Sequence, residues 1–195
     1  MKKSALTLAV LSSLFSGYSL AAPAENNTSQ ANLDFTGKVT ASLCQVDTST
    51  LAQTIDLGEL STSALKETGK GPAKSFAVNL INCDTTLNSI KYTIAGVNNT
   101  GGDTQYLVPV SNDTSASGVG VFIQDNNGQD VTIGQEKTVP VVSNNNSALS
   151  EQSIPLQAYI GTTTRAADKN GSVKAGTVAA SAVMTIRTAA AAGQP

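Results

Sequence analysis

The chain has 195 residues, a formal charge of −2 and no histidine, with 13% charged and 4% aromatic side chains and no Trp. Without His, neither a Ser-His-Asp nor a Cys-His arrangement can be built, and zinc loses its usual ligand partners. A weakly acidic chain with no basic cluster also suits nucleic acid poorly, because phosphates must be neutralised by Lys and Arg.

In chain order, "MKKSALTLAVLSSLFSGYSLAA" places Lys2 and Lys3 before an apolar run, with small residues at Ser19 and Ala21. This reads as a secretory signal peptide over residues 1–21, too short in its apolar part for a membrane span. Cleavage after Ala21 removes two lysines and no acid, leaving 10 basic against 14 acidic side chains, a charge of −4. The remainder suits one domain whose core is built mostly from Val, Ile, Leu and Ala.

"APAENNTSQAN" follows, polar and without periodicity, and is expected to be disordered in a lone subunit. Alternation then begins: Leu33, Phe35, Val39, Ala41 and Leu43 share a face, with Cys44 one step out of phase, which predicts a twist or bulge just before it. "TIDLGEL" repeats the pattern with Ile55 and Leu57. "STSALKETGKGPAK" reads as a loop with room for one helical turn over Ser61 to Glu67. Further strands are predicted at "SFAVNLINCD", "SIKYTIAG", "YLVPV", "GVGVFIQD", "DVTIG", "KTVPVV", "SIPLQAYIG" and the terminal stretch, with turn signals between them. Many short strands and no long helix argue for an all-β sandwich.

Cys44 and Cys83 form an even pair in the exported part and read as one structural disulfide; two free thiols or half a metal site are the alternatives. Both cysteines leave the apolar phase of their strands, which is consistent with a bond between them. Paired carboxylates could in principle serve a glycosidase, but nothing in their placement suggests a cleft. "DNNGQD" (Asp125 to Asp130) faintly resembles a calcium loop, yet lacks the terminal Glu and fits an Asn-Gly hairpin turn better. "DKNGS" (Asp168 to Ser172) is read the same way. No cofactor is expected.

"FTGKVTASLCQVD", "QTIDLGEL", "FAVNLINCD", the "GVGVFIQD" segment with its Asn-Gly turn, and "IPLQAYIGTTTRAA" are followed by a terminal strand opening at Gly176. In order and spacing these resemble the major-subunit pilins that Gram-negative bacteria assemble by the chaperone–usher route, over about Leu33 to Thr188. The resemblance implies an incomplete immunoglobulin-like β-sandwich that lacks its last strand, leaving an apolar groove along the terminal strand. A periplasmic pilus chaperone would fill the groove first. At the outer-membrane usher, the N-terminal extension of the next subunit would replace it, an instance of strand addition to a sheet edge.

Carried over by position, residues 22–32 are the donor extension, residues 33–188 the pilin domain and residues 189–195 a tail. Thr28, Gln30, Ala31 and Leu33 belong to the donor strand. Gly176, Val178, Ala180, Ala182, Met184, Ile186 and Thr188 form the groove and chaperone-binding strand. Two features differ from the family pattern: Thr188 stands where relatives carry a near-terminal tyrosine, and Gln30 and Ala31 stand where they often carry glycine. The expected function is a structural, non-enzymatic subunit of an adhesive surface fibre, exported through the periplasm, with neighbouring pilin subunits as partners. The alternative is a secreted β-sandwich that binds carbohydrate. It would need exposed aromatic rings, and only Tyr92, Tyr106 and Tyr159 remain once Tyr18 leaves with the signal.

Overall fold

The structure is a computed structural model and describes residues 33, 43–100, 105–167 and 171–190. The expected signal peptide, the donor residues Thr28, Gln30 and Ala31, and most of the first alternating stretch lie outside the described residues. The chain divides into two units, Met1–Val39 and Thr40–Pro195, and the fold below is that of the second.

Its elements are β1 (Gln45–Val46), α1 (Thr62–Thr68), β2 (Lys74–Ile81), β3 (Leu87–Gly96), β4 (Val119–Asp125), β5 (Glu136–Val139), β6 (Ser143–Asn144), β7 (Ser147–Ala148), β8 (Gln152–Thr162) and β9 (Ala182–Ala190). One sheet has the order β1-β2-β8-β4, the second β5-β3-β9, and β6 pairs with β7; the paired strands are antiparallel throughout. The core is made where the two larger sheets face each other. Leu80, Val121, Ile123, Ile154, Leu156 and Ala158 from the first meet Ile90, Tyr92 and Ile94 from the second. Alternation in the sequence thus becomes one buried face per strand, as in β8, where Ile154, Leu156 and Ala158 point inward and Ser153 and Pro155 outward.

The helical turn expected over Ser61 to Glu67 forms one residue further on, because Ser61 is its cap: its hydroxyl accepts from the Ala64 N–H at 3.2 Å. Leu65 then packs against Val119 and Val173 in a small satellite cluster. At Asp125 to Asp130 the structure makes a turn. The Asp125 carboxylate accepts from the Asn127 and Gln129 N–H groups at 2.9 Å each and from Lys137 Nζ at 2.8 Å, and Gly128 adopts φ +74°. Those hydrogen bonds outweigh burial, which alone would raise the Asp125 pKa, and hold it below the ordinary carboxylate value.

Three predicted strands form no ladder. "YLVPV" and "DVTIG" touch the chain of β4 through the single bridges Leu107↔Val121 and Gln124↔Asp130, and Pro109 supplies no N–H for a longer pairing. "TIDLGEL" has Ile55 and Leu57 half-buried on one face, as its alternation predicts, but it turns at Gly58, φ +73°, whose N–H donates to the Asp56 carboxylate at 2.9 Å, and no strand pairs with it among the described residues.

Tyr92 is the largest fully buried side chain, and its hydroxyl has no hydrogen-bond partner among the described residues. Burial, with the Asp125 charge nearby, pushes its pKa up to about 12. Because the folded value lies above the unfolded one, the folded state keeps a proton that the unfolded chain releases, so stability falls as pH rises from 10 towards about 12. Tyr92→Phe is therefore expected to change stability by no more than about 1 kcal/mol at neutral pH, since no hydrogen bond is lost. It should also remove much of that alkaline loss, read as thermal midpoints across the range; an unchanged alkaline profile would count against it.

Candidate functional site

β9 lies at the edge of its sheet, with β3 on one side and no strand on the other among the described residues. Its direction fixes what the free side presents. Val97 N–H donates to the Ser181 carbonyl at 2.9 Å, so the odd-numbered residues exchange hydrogen bonds with β3. The N–H and C=O groups of Val178, Ala180, Ala182, Met184 and Ile186 therefore point the other way. The side chains of the same residues face inward. Val178, Ala180, Met184 and Ile186 are half-buried against the core, whereas Ala182 and the odd-numbered Val183, Thr185 and Arg187 are exposed.

Opposite this edge runs the "TIDLGEL" segment, whose Ile55, Leu57 and Leu60 turn toward the same space. Between the two walls lies an open groove of about 1520 Å³, with Ile94, Val121, Leu156 and Ala158 at its base. "TIDLGEL" and the free edge of β9 thus bound the groove from its two sides. From Val178 to Ile186 the edge covers eight residue steps, about 26 Å at ~3.3 Å each. Unlike an ordinary core face, this one is only half covered, and it combines apolar floor with unfilled backbone groups.

The lead-in to β9 is held from its other side. Thr177 N–H donates to the Thr114 carbonyl at 2.8 Å, Ala116 N–H to the Thr177 carbonyl at 2.9 Å, and Val110 N–H to the Ala179 carbonyl at 2.8 Å. Gly176 makes this approach possible, since a Cβ there would lie 2.3 Å from Ala116 N and 2.4 Å from the Ser115 carbonyl carbon. Sequence reasoning placed Gly176 at the start of the strand; the ladder begins only at Ala182, and the glycine serves backbone packing before it. Thr188 sits half-buried at the far end, where its Oγ1 accepts from the Leu43 N–H at 3.3 Å, and β9 continues two residues past it to Ala190.

Cys44 and Cys83 are bonded to each other beside this end of the sandwich, both buried. Of the predicted donor residues, Leu33 alone is described, and it is exposed. The aromatic residues offer no sugar platform: Phe122 stacks with Tyr159 and packs against Tyr106, with Arg165 lying over the Phe122 ring. Phe122, Tyr159 and Tyr92 are all buried. No cluster of three or more potential metal ligands occurs among the described residues.

Residues 33–187 match the fimbrial protein family, and the chain belongs to it. It is 87% identical over 189 residues to fimbrial protein 987P of Escherichia coli, covering 97% of each chain. In fold it is similar to a chain of a chaperone-usher pilus, with a TM-score of 0.61 at 20% identity over 81% of this chain and 94% of that one. It is likewise similar to the P pilus rod subunit PapA, with a TM-score of 0.54 at 21% identity over 77% of this chain and all of that one. The chain is a fimbrial subunit, a structural component of a surface fimbrium, and the carbohydrate-binding alternative is set aside.

Proposed function

We propose that this subunit polymerises by donor-strand exchange: the groove between β9 and the "TIDLGEL" wall accepts the N-terminal extension, residues 22–32, of a neighbouring subunit. The observation that carries this reading is the coincidence on Val178, Ala180, Ala182, Met184 and Ile186 of inward side chains with outward-facing free backbone groups. An added strand completes both at once, hydrogen bonds along the edge and apolar cover over the floor. Before assembly a periplasmic chaperone occupies the same edge, and an outer-membrane usher is where the exchange takes place. Export begins with the signal peptide, and the fibre adheres to surfaces outside the cell.

The test is expression of the full chain in a periplasm with and without its chaperone, repeated after deletion of residues 22–32. Recovery of soluble subunit only with chaperone, and heat-resistant multimers on gels that vanish with the deletion, is the expected result. A stable soluble monomer indifferent to both manipulations would mean that the sandwich is already complete.

A further inference from the structure

We infer that two apolar patches at opposite ends of the sandwich bind each other between copies of this chain, the β6–β7 end of one subunit against the Val97 end of the next. Five of the large apolar side chains exposed among the described residues fall at two places. Val142 and Leu149 flank the β6–β7 hairpin, where Leu149 N–H donates to the Val142 carbonyl at 3.0 Å. Val97, Val110 and Val183 surround the start of β9: Val97 N–H donates to the Ser181 carbonyl at 2.9 Å, Val110 N–H donates to the Ala179 carbonyl at 2.8 Å, and Val183 pairs with Ala95. Leu33 and Leu51, the latter on the groove, complete the set.

Each patch is braced by a side-chain amide. Gln152, itself buried, accepts from Val142 N–H at 2.8 Å and donates to the Val142 and Leu149 carbonyls at 2.7 and 3.0 Å. Asn99 donates to the Tyr106 carbonyl at 2.7 Å and accepts from Val108 N–H at 3.1 Å, which keeps the segments bearing Val97 and Val110 side by side. Single apolar residues scattered over a surface need no partner, but groups of them presented on braced loops mark a contact.

The two patches cannot meet within one subunit. Ala148 N–H donates to the Thr85 carbonyl at 3.1 Å just before β3 begins, whereas Val97 follows its last residue, and the nine steps of β3 between them span about 30 Å at ~3.3 Å each. Dissimilar patches at opposite ends make a head-to-tail contact, which propagates as a filament unless its rotation closes a ring. A filament is what a fimbrial subunit builds, so the occupant of each patch is the other patch on a second copy. The chain preceding the compact unit also joins it at the hairpin end, where the Leu43 carbonyl accepts from Asp84 N–H at 2.8 Å and Cys83 N–H donates to the Ser150 carbonyl at 3.0 Å. This contact goes beyond strand addition and does not require it.

The experiment uses fibres of the full chain sheared from cells, with Val142→Lys and Val97→Asp made singly and together, and Leu149→Lys with Val110→Asp as a second set. All four positions are exposed, so the subunit should fold and accumulate as usual. Each single change leaves an unpaired charge in the contact and should lower the yield of fibre about tenfold. The paired changes should restore most of it, because Lys and Asp then meet between copies. Carbodiimide should join them, giving a ladder of multimers that survives boiling, is absent from unsubstituted fibres and yields linked peptides carrying residues 97 and 142. Single variants at full yield, pairs that assemble no better than the singles in both sets, or fibres of the pairs without those linked peptides would each overturn the contact. None of these outcomes bears on strand addition, which the deletion of residues 22–32 tests separately.

Discussion

Replacing Cys44 and Cys83 together by alanine is expected to lower the stability of the subunit by about 4 kcal/mol, the chain-entropy value for closing a loop of this length. The bridge joins residues 39 apart and spans from the start of the compact unit to the end of β2. Besides the bridge, that start is held among the described residues by the two-residue β1, paired as Gln45↔Ile81 and Val46↔Leu80, and by backbone bonds such as Asp84 N–H to the Leu43 carbonyl at 2.8 Å. Both cysteines are buried, so alanine avoids adding an unsatisfied hydroxyl. Urea denaturation of the refolded subunit should show the midpoint falling by roughly 2 M and the slope rising, because the unbridged chain unfolds to a more open ensemble. A fall of less than about 0.5 M would show that packing, not the bridge, secures this end.

Refolded in isolation at low concentration, with no chaperone on the groove, the Ala182→Asp subunit should fold like the unsubstituted chain, and its assembly should be abolished. Ala182 is exposed in the open groove, so the new carboxylate is solvated before a strand arrives and costs little. Once a strand covers the groove, the same charge becomes buried without a partner, a penalty of about 3–5 kcal/mol, equivalent to at least roughly a hundredfold loss in association. Circular dichroism should match the unsubstituted chain, while heat-resistant multimers disappear. Multimers at normal yield would show that the face bearing Ala182 is not covered on assembly. As a control, Thr185→Asp on the opposite, exposed face should assemble normally.

Much of this arrangement can be read from the residues. Period-two alternation located β2, β3, β4, β8 and β9, and the Asn-Gly step located the turn after β4, because side-chain burial and turn conformation are local properties. Ladders are not. "TIDLGEL" alternates as well as any strand, and its Ile55 and Leu57 are turned inward, but whether an edge is paired depends on what lies beside it. Here no strand lies beside it among the described residues. The opposite wall of the groove was therefore legible as a face and not as a wall.

The reason for Gly176 was hidden in another way, since the backbone it approaches, Thr114 to Ala116, lies some sixty residues earlier in the chain. Thr188 could be noticed only as a departure from a family pattern. Its bond to Leu43, across 145 residues, has no local signature. The end of the strand was likewise misjudged by two residues, because Ala189 and Ala190 pair with Ser89 and Leu87 around an irregularity in β3 that an alanine run does not announce.

The two faces of β9 answer to different judges. Under donor-strand exchange the even-numbered positions would be covered by the next subunit, whereas Thr185 and Arg187 lie exposed on the other face of the subunit. A change at Thr185 or Arg187 alters the exterior while the groove keeps its floor and its edge. Within a single strand, the exposed side chains can be changed without altering the apolar face on which the proposed joint between subunits depends.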